Sequence, residues 1–251
     1  MADDDQIERA KQYTNKLIDL VIGAKAANEN TRHAVYSSRL VGQISRSYAA
    51  HAFKELQNTL LYFSVVRVCS LFDKAANDRV SLHTVINAIS NKETVRKVAR
   101  ETHLYHATQG EPRRSTSEDD PEIRKLLADH WTNYNEECGR KEEQLVYRRV
   151  CVAQKIVDRA ERLLIKDQLR PFRDNFIAHN LSDNARNGRQ VSFMLGMENR
   201  AIQHAKCAVD QLHLALNGTS FDWEGLEKMQ RRNAAEFWDN LNFESPEDRR
   251  A

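Results

Sequence analysis

The residues Arg173-Asp174-Asn175-Phe176-Ile177-Ala178-His179-Asn180 combine two side chains that together can work on a phosphodiester. An arginine carries a permanent positive charge in a planar fork that matches phosphate. A histidine gives or takes a proton near neutral pH. Held at one phosphodiester, the two suffice to cleave RNA without a metal. The ribose 2′-OH would attack the adjacent phosphate, leaving a 2′,3′-cyclic phosphate and a 5′-OH. His179 would serve as general base or acid, a task suited to an unperturbed pKa of ~6.5. Arg173 would hold the phosphate oxygens and stabilise charge growing on them. Asp174 or Asn175 would orient His179 or the arginine fork. Because it needs a 2′-OH, this chemistry cuts RNA and spares DNA. Arg170, Arg186 and Arg189 lie close in sequence and are candidates for flanking phosphates.

Spacing alone does not single out this pair. Arg46 to His51, Arg96 to His103, Arg100 to His106 and Arg124 to His130 fit similar windows. Context separates them. Only Arg173 is followed directly by Asp or Asn, here Asp174; His179 follows the apolar pair Ile177-Ala178 and precedes a polar loop, whereas His51, which also follows an apolar pair, runs on into the most apolar helix. On an ideal α-helix, six residues at ~100° each leave Arg173 and His179 about 120° apart, whereas Asn175 and His179 share a face. A bend in the helix, a swung arginine or a two-fold contact would be needed to bring the pair together.

The elements that must carry this run are helical. Ile7, Ala10, Thr14, Leu17 and Val21 recur at steps of three and four. Between Ala49 and Phe72 the apolar arc is broad, with Phe53, Leu56, Leu60, Phe63, Val66 and Val68, which predicts a central helix. Ser81 opens a short helix, and Ser90-Asn91-Lys92-Glu93 reads as a capping box for the next. Residues 107–120 read as an exposed loop. Asp120-Pro121 starts a helix with Ile123, Leu127, His130, Tyr134 and Cys138 inward, His130 as a core histidine. Val146, Val150, Ala153, Val157, Ala160 and Leu164 form a further stripe that Pro171 should end or kink. A polar loop over residues 181–190 precedes a helix with Ile202, Ala205, Val209, Leu212 and Leu216, stopped by Asn217-Gly218. A last helix spans about Trp223 to Leu241, its tryptophans packing rather than stacking on bases. The expected fold is an all-α antiparallel bundle with additional helices at both ends. The expected divisions are residues 1–30, 31–220 and 221–251.

Composition bounds the partners. With 38 basic and 36 acidic side chains the net charge is +2, so any RNA site must be a local patch. No apolar stretch approaches the ~20 residues of a membrane span. The acidic start Met1-Ala2-Asp3-Asp4-Asp5 lacks the basic and apolar regions of a secretory leader. Cys69, Cys138, Cys151 and Cys207 form no C-x-x-C pair, which fits a reducing cytoplasm and gives no zinc signature. His103 and His106 are three apart, but no Glu-x-x-His accompanies them, so neither metal nor cofactor is expected.

The run from Arg173 to Asn180 resembles the R-x(4–6)-H motif of HEPN (higher eukaryotes and prokaryotes nucleotide-binding) domains. Ser70-Leu71-Phe72-Asp73 followed by Ser81-Leu82 is similar to a segment of the HEPN-like abortive-infection proteins of bacteria. Together the two cover roughly residues 45–217. The resemblance implies a metal-independent ribonuclease of toxin or phage-defence type. It also implies a homodimer with both motifs facing one cleft, and restraint by an antitoxin such as a nucleotidyltransferase. Two other readings stay open. One is a non-catalytic HEPN-like module that binds nucleotide, RNA or protein. The other is a structural helical protein in which Arg173 and His179 merely close a helix end.

Overall fold

The computed structural model describes residues 2–44, 49–109, 121–178, 194–241 and 243. Every regular element among them is helical, as expected. Helix α1 runs over Ala2–Tyr36, α2 over Ser38–Ile44, α3 over Ala50–Leu71, α4 over Leu82–Ala88 and α5 over Lys92–Ala107. Helix α6 spans Pro121–Ala160 and continues into a wide, π-helical stretch, π1, over Glu161–Leu169. One α-turn, Arg170–Phe172, leads into a second, π2, over Arg173–Ala178. Helices α7, Met197–Leu216, and α8, Trp223–Asp239, complete the fold.

Local signals explain most boundaries. The Ser81 hydroxyl accepts from Thr84 N–H at 3.1 Å and opens α4, giving an acceptor to a first-turn N–H that has none within the helix. Helix α5 begins one residue later than the capping-box pattern suggested. Its cap is Asn91, whose Oδ1 accepts from Glu93 N–H at 3.0 Å, while Ser90 Oγ turns back to the Asn87 carbonyl. Helix α7 ends at Leu216, and Gly218 follows with φ 68°, the left-handed backbone that stops a helix.

The apolar stripes meet in one main core. Leu17, Val21 and Ala24 of α1 pack with Val65, Val68 and Leu71 of α3 and with Ile202, Val209 and Leu212 of α7. Helix α1 is therefore the centre of the bundle, and the boundary expected at residue 30 falls inside one helix. Helix α3 was expected in that place. Instead Leu56, Phe63 and Val66 remain exposed along one side of it, because no described helix covers that side. Burying a leucine-sized side chain is worth roughly 1.5–3 kcal/mol, so an uncovered stripe of three is a sizeable unused contribution.

The outer helices are firmly attached. Glu227 of α8 binds Lys25 of α1 at 2.9 Å and Lys206 of α7 at 2.7 Å. Trp238 is buried and donates to Asn30 Oδ1 at 3.0 Å, and Trp223 donates to Asp210 at 3.2 Å. Arg39 donates to the Trp238 and Leu241 carbonyls, closing the end of α8.

Helix α6 is one element where the sequence suggested two. Its second half keeps the expected stripe, with Val146, Ala153, Val157 and Ala160 buried. In the first half Ile123, His130 and Tyr134 are exposed, which corrects the expectation that they face inward. The reason is neighbourhood: among the described residues that half pairs with α5 and has little else beside it. His103 of α5 reaches across to Glu143 at 3.0 Å and Glu136 at 3.4 Å, close against Gly139.

Candidate functional site

The site begins where α3 runs out. Phe72 closes the helix and is fully buried, and Asp73 follows at the surface. Against this corner lies the end of the long α6–π1–π2 segment. Pro171 does not end that segment. It has no N–H and would collide with an α-helical carbonyl one turn earlier. The ladder changes register around it instead: Arg170 N–H reaches the Ile165 carbonyl, and Arg173 N–H reaches the Arg170 carbonyl. The wide turns before and after the proline accommodate the change, and such turns gather at functional sites. Residues Arg173–Ala178 of the motif wind in this way.

Arg173 is held on every nitrogen. Its Nε donates to Asp174 Oδ1 at 2.8 Å, Nη2 lies 2.8 Å from the same oxygen, and Nη1 donates to Asp73 Oδ1 at 3.4 Å. A guanidinium has five N–H groups, so these contacts leave two for further acceptors. Its side chain is 24% exposed, enough to meet a ligand and too little to wander. Partial burial works against the charge, but the Asp174 hydrogen bond and nearby carboxylates outweigh it and raise the pKa above its ordinary value. Asp174 is thus the residue that grips the fork. Asn175 is 1% exposed and turns into the protein.

Arg170 belongs to a separate set of contacts. It grips Glu161 with Nη1 at 2.5 Å and Nη2 at 3.3 Å, and Nη2 also donates to the Phe72 carbonyl at 2.9 Å. Glu161 in turn lies 3.6 Å from His83 Nε2. A paired, partly buried guanidinium is poorly placed for phosphate, so Arg170 ties π1 to the end of α3. His179, Asn180, Arg186 and Arg189 lie outside the described residues.

Beneath the corner is Cys69, fully buried. Burial pushes its thiol up to about 12 against the pull of Arg173 and Arg170, so it stays protonated and unreactive. Beside the corner lie aromatic rings. Phe172 stacks on Phe176 at 5.2 Å and meets Tyr62 of α3 at 6.1 Å. Phe176 is 41% exposed.

Sequence reasoning placed Arg173, Asp174 and Asn175 together and missed Asp73 as a member of the site. The signal was present, since Asp73 closes the Ser70-Leu71-Phe72-Asp73 segment, but nothing in that segment reveals a partner 100 residues away. Among the described residues no cluster of three His, Cys, Asp or Glu side chains could hold a metal, and no helix is long and apolar enough to cross a membrane.

No curated protein and no solved structure matches the chain. A protein-family profile, that of AbiU2, matches residues 7–237, which takes in the corner at Asp73, the Arg173 turn and most of α1 and α8. The chain belongs to the AbiU2 family of HEPN proteins, a HEPN-type abortive-infection family.

Proposed function

We propose that this protein is a metal-independent endoribonuclease, a toxin-like or phage-defence effector working in the cytoplasm. The observation that carries this reading is the state of Arg173. It is fixed by Asp73 and Asp174, partly exposed, and set six residues before His179. A pre-oriented guanidinium stabilises charge developing on a phosphate without reorganising during the reaction. In the reaction, the 2′-oxygen forms a bond to phosphorus while the bond to the 5′-oxygen breaks. His179 removes the 2′-OH proton or delivers one to the departing 5′-oxygen. No step calls for a metal or cofactor.

The exposed stripe of Leu56, Phe63 and Val66 on α3 supports a homodimer built on this side. A contiguous apolar patch beside a site marks a contact surface. A two-fold contact there would bring two Arg173–His179 motifs to one groove. Restraint by an antitoxin partner of nucleotidyltransferase type, and phosphate contacts from Arg186 and Arg189, belong to the same proposal.

The test is RNA cleavage by wild type and His179→Ala in EDTA, with product ends mapped. Cleavage to cyclic-phosphate ends by wild type and none by a folded His179→Ala supports the reading. Equal cleavage by both removes His179 from the mechanism. Binding without cleavage by either moves the protein to the non-catalytic, RNA-binding class.

A further inference from the structure

A groove runs away from the Arg173 corner along α4, α5 and α6. Its near part, a cleft of about 400 Å³, is lined by Phe72, Lys74, His83, Glu161 and Arg170. Its far part, about 500 Å³, is walled by Ile89, Val95, Tyr147, Val150 and Cys151. Ile86, Ser90 and Gln154 line both, so the two parts are continuous. The near end meets the site across one peptide unit. Phe72 lines the cleft and gives its carbonyl to Arg170, while the next residue, Asp73, holds Arg173.

The two parts differ in chemistry. The far part is apolar, with one ring, Tyr147, 41% exposed at its wall. The rim is basic. Lys74 on the near part and Lys92 and Arg96 on the far part join Arg170, with Glu161 holding Arg170 and Glu93 holding Arg96. Arg170 and Arg96 are engaged by those carboxylates, so the ammonium groups of Lys74 and Lys92 are the cations placed to meet phosphate. An apolar, aromatic slot flanked by cations fits an unstacked base on a phosphate backbone. Proteins read single-stranded RNA in this way.

Resting on the ribonuclease reading above, we infer that this groove binds the single-stranded RNA that flanks the scissile phosphate. One base lies against Tyr147 between Ile89 and Val95, and backbone phosphates lie along Lys74 and Lys92. The groove thereby selects unpaired RNA, because a base inside a duplex cannot enter the slot.

Two exposed cysteines supply the test. Cys151 lines the slot, and Cys207 lies on α7 in a different hollow. The His179→Ala protein is mixed with a short single-stranded RNA, which stays whole, and alkylation of each thiol is followed by mass spectrometry. The expected result is that RNA slows alkylation of Cys151 about tenfold and leaves Cys207 unchanged. Tyr147→Ala, a substitution at an exposed position, weakens RNA affinity about tenfold, the usual scale for one stacked base. In the His179 protein it raises KM and leaves kcat alone. If RNA binds while Cys151 reacts at its free rate, the groove proposal is overturned. It is overturned as well if a mononucleotide protects Cys151 as fully as the strand does, or if double-stranded RNA does. Protection of Cys151 without cleavage by wild type would keep the groove and discard the nuclease.

Discussion

The Nη1 of Arg173 stands 3.4 Å from Oδ1 of Asp73, joining the turn that carries the motif to the end of a helix 100 residues earlier. Asp174 holds the other edge of the same guanidinium at 2.8 Å. One contact is local and would survive wherever the turn went. The other depends on the fold, so it is the Asp73 contact that places the fork within the molecule.

Asp73→Asn should therefore separate activity from stability. Both groups are partly exposed, and such pairs contribute about 0.2–1 kcal/mol, so the melting temperature should fall by about 4 °C at most. RNA cleavage should fall about tenfold, as expected when a fork loses its aim by a fraction of an ångström. A loss of activity matched by unfolding of the protein would show that Asp73 supports the core and not the fork.

Arg170 should behave in the opposite way. Its removal leaves Glu161 and the Phe72 carbonyl without their donor, and the short, bidentate geometry makes this a stronger contact than most. Arg170→Ala should cost about 2 kcal/mol in urea unfolding, and Arg170→Lys should restore little because an ammonium cannot bridge both carboxylate oxygens. Full stability in the alanine variant would rule out the structural role assigned to this pair.

Two glycines in helices give predictions of opposite sign. Gly23 is exposed in α1 with open space around an added Cβ, so Gly23→Ala should stabilise by about 0.5–1 kcal/mol. At Gly139 an added Cβ would lie 2.8 Å from the His103 carbonyl, a backbone atom that cannot swing aside. There the helix-propensity gain of about 1 kcal/mol is offset by overpacking of roughly 1–3 kcal/mol. Thermal melts of the two variants should move in opposite directions. A stabilised Gly139→Ala would mean that α5 and α6 are less tightly apposed than described.

These cases also mark where the sequence was legible. The stripes of α1, α6 and α7 were readable because apolar periodicity reports a face that is truly covered. The same reasoning failed for His130 and Tyr134, and for Leu56, Phe63 and Val66, since periodicity cannot tell which neighbour is present. The motif could be found from Arg173 onward because its residues are contiguous. Asp73 could not, since an ion pair across 100 residues leaves no local pattern. Pro171 was read as ending or kinking its helix, and of these the ending did not occur. The rule that proline ends a helix assumes an α-helical ladder, and here the chain widens around the ring instead.

Glu198 provides a pH-dependent prediction. It sits in the first turn of α7, is 3% exposed, and accepts from Gly196 N–H at 3.0 and 3.2 Å. Burial raises its pKa above the ordinary 4.5, and the backbone donors only partly oppose this. A carboxyl that holds its proton more tightly when folded adds stability below pH 4.5. That contribution is lost as the pH climbs through the raised value, where the buried charge must form. At pH 7 wild type thus carries a penalty that an amide would avoid. Glu198→Gln should melt higher than wild type at pH 7, because the amide carries no buried charge. The two should converge near pH 4, where both side chains are neutral. Thermal melts between pH 4 and 8 would decide the point. A variant that melts lower than wild type at pH 7 would mean that the ionised carboxylate, at the positive end of α7 and bonded to Gly196, stabilises the helix more than its burial costs.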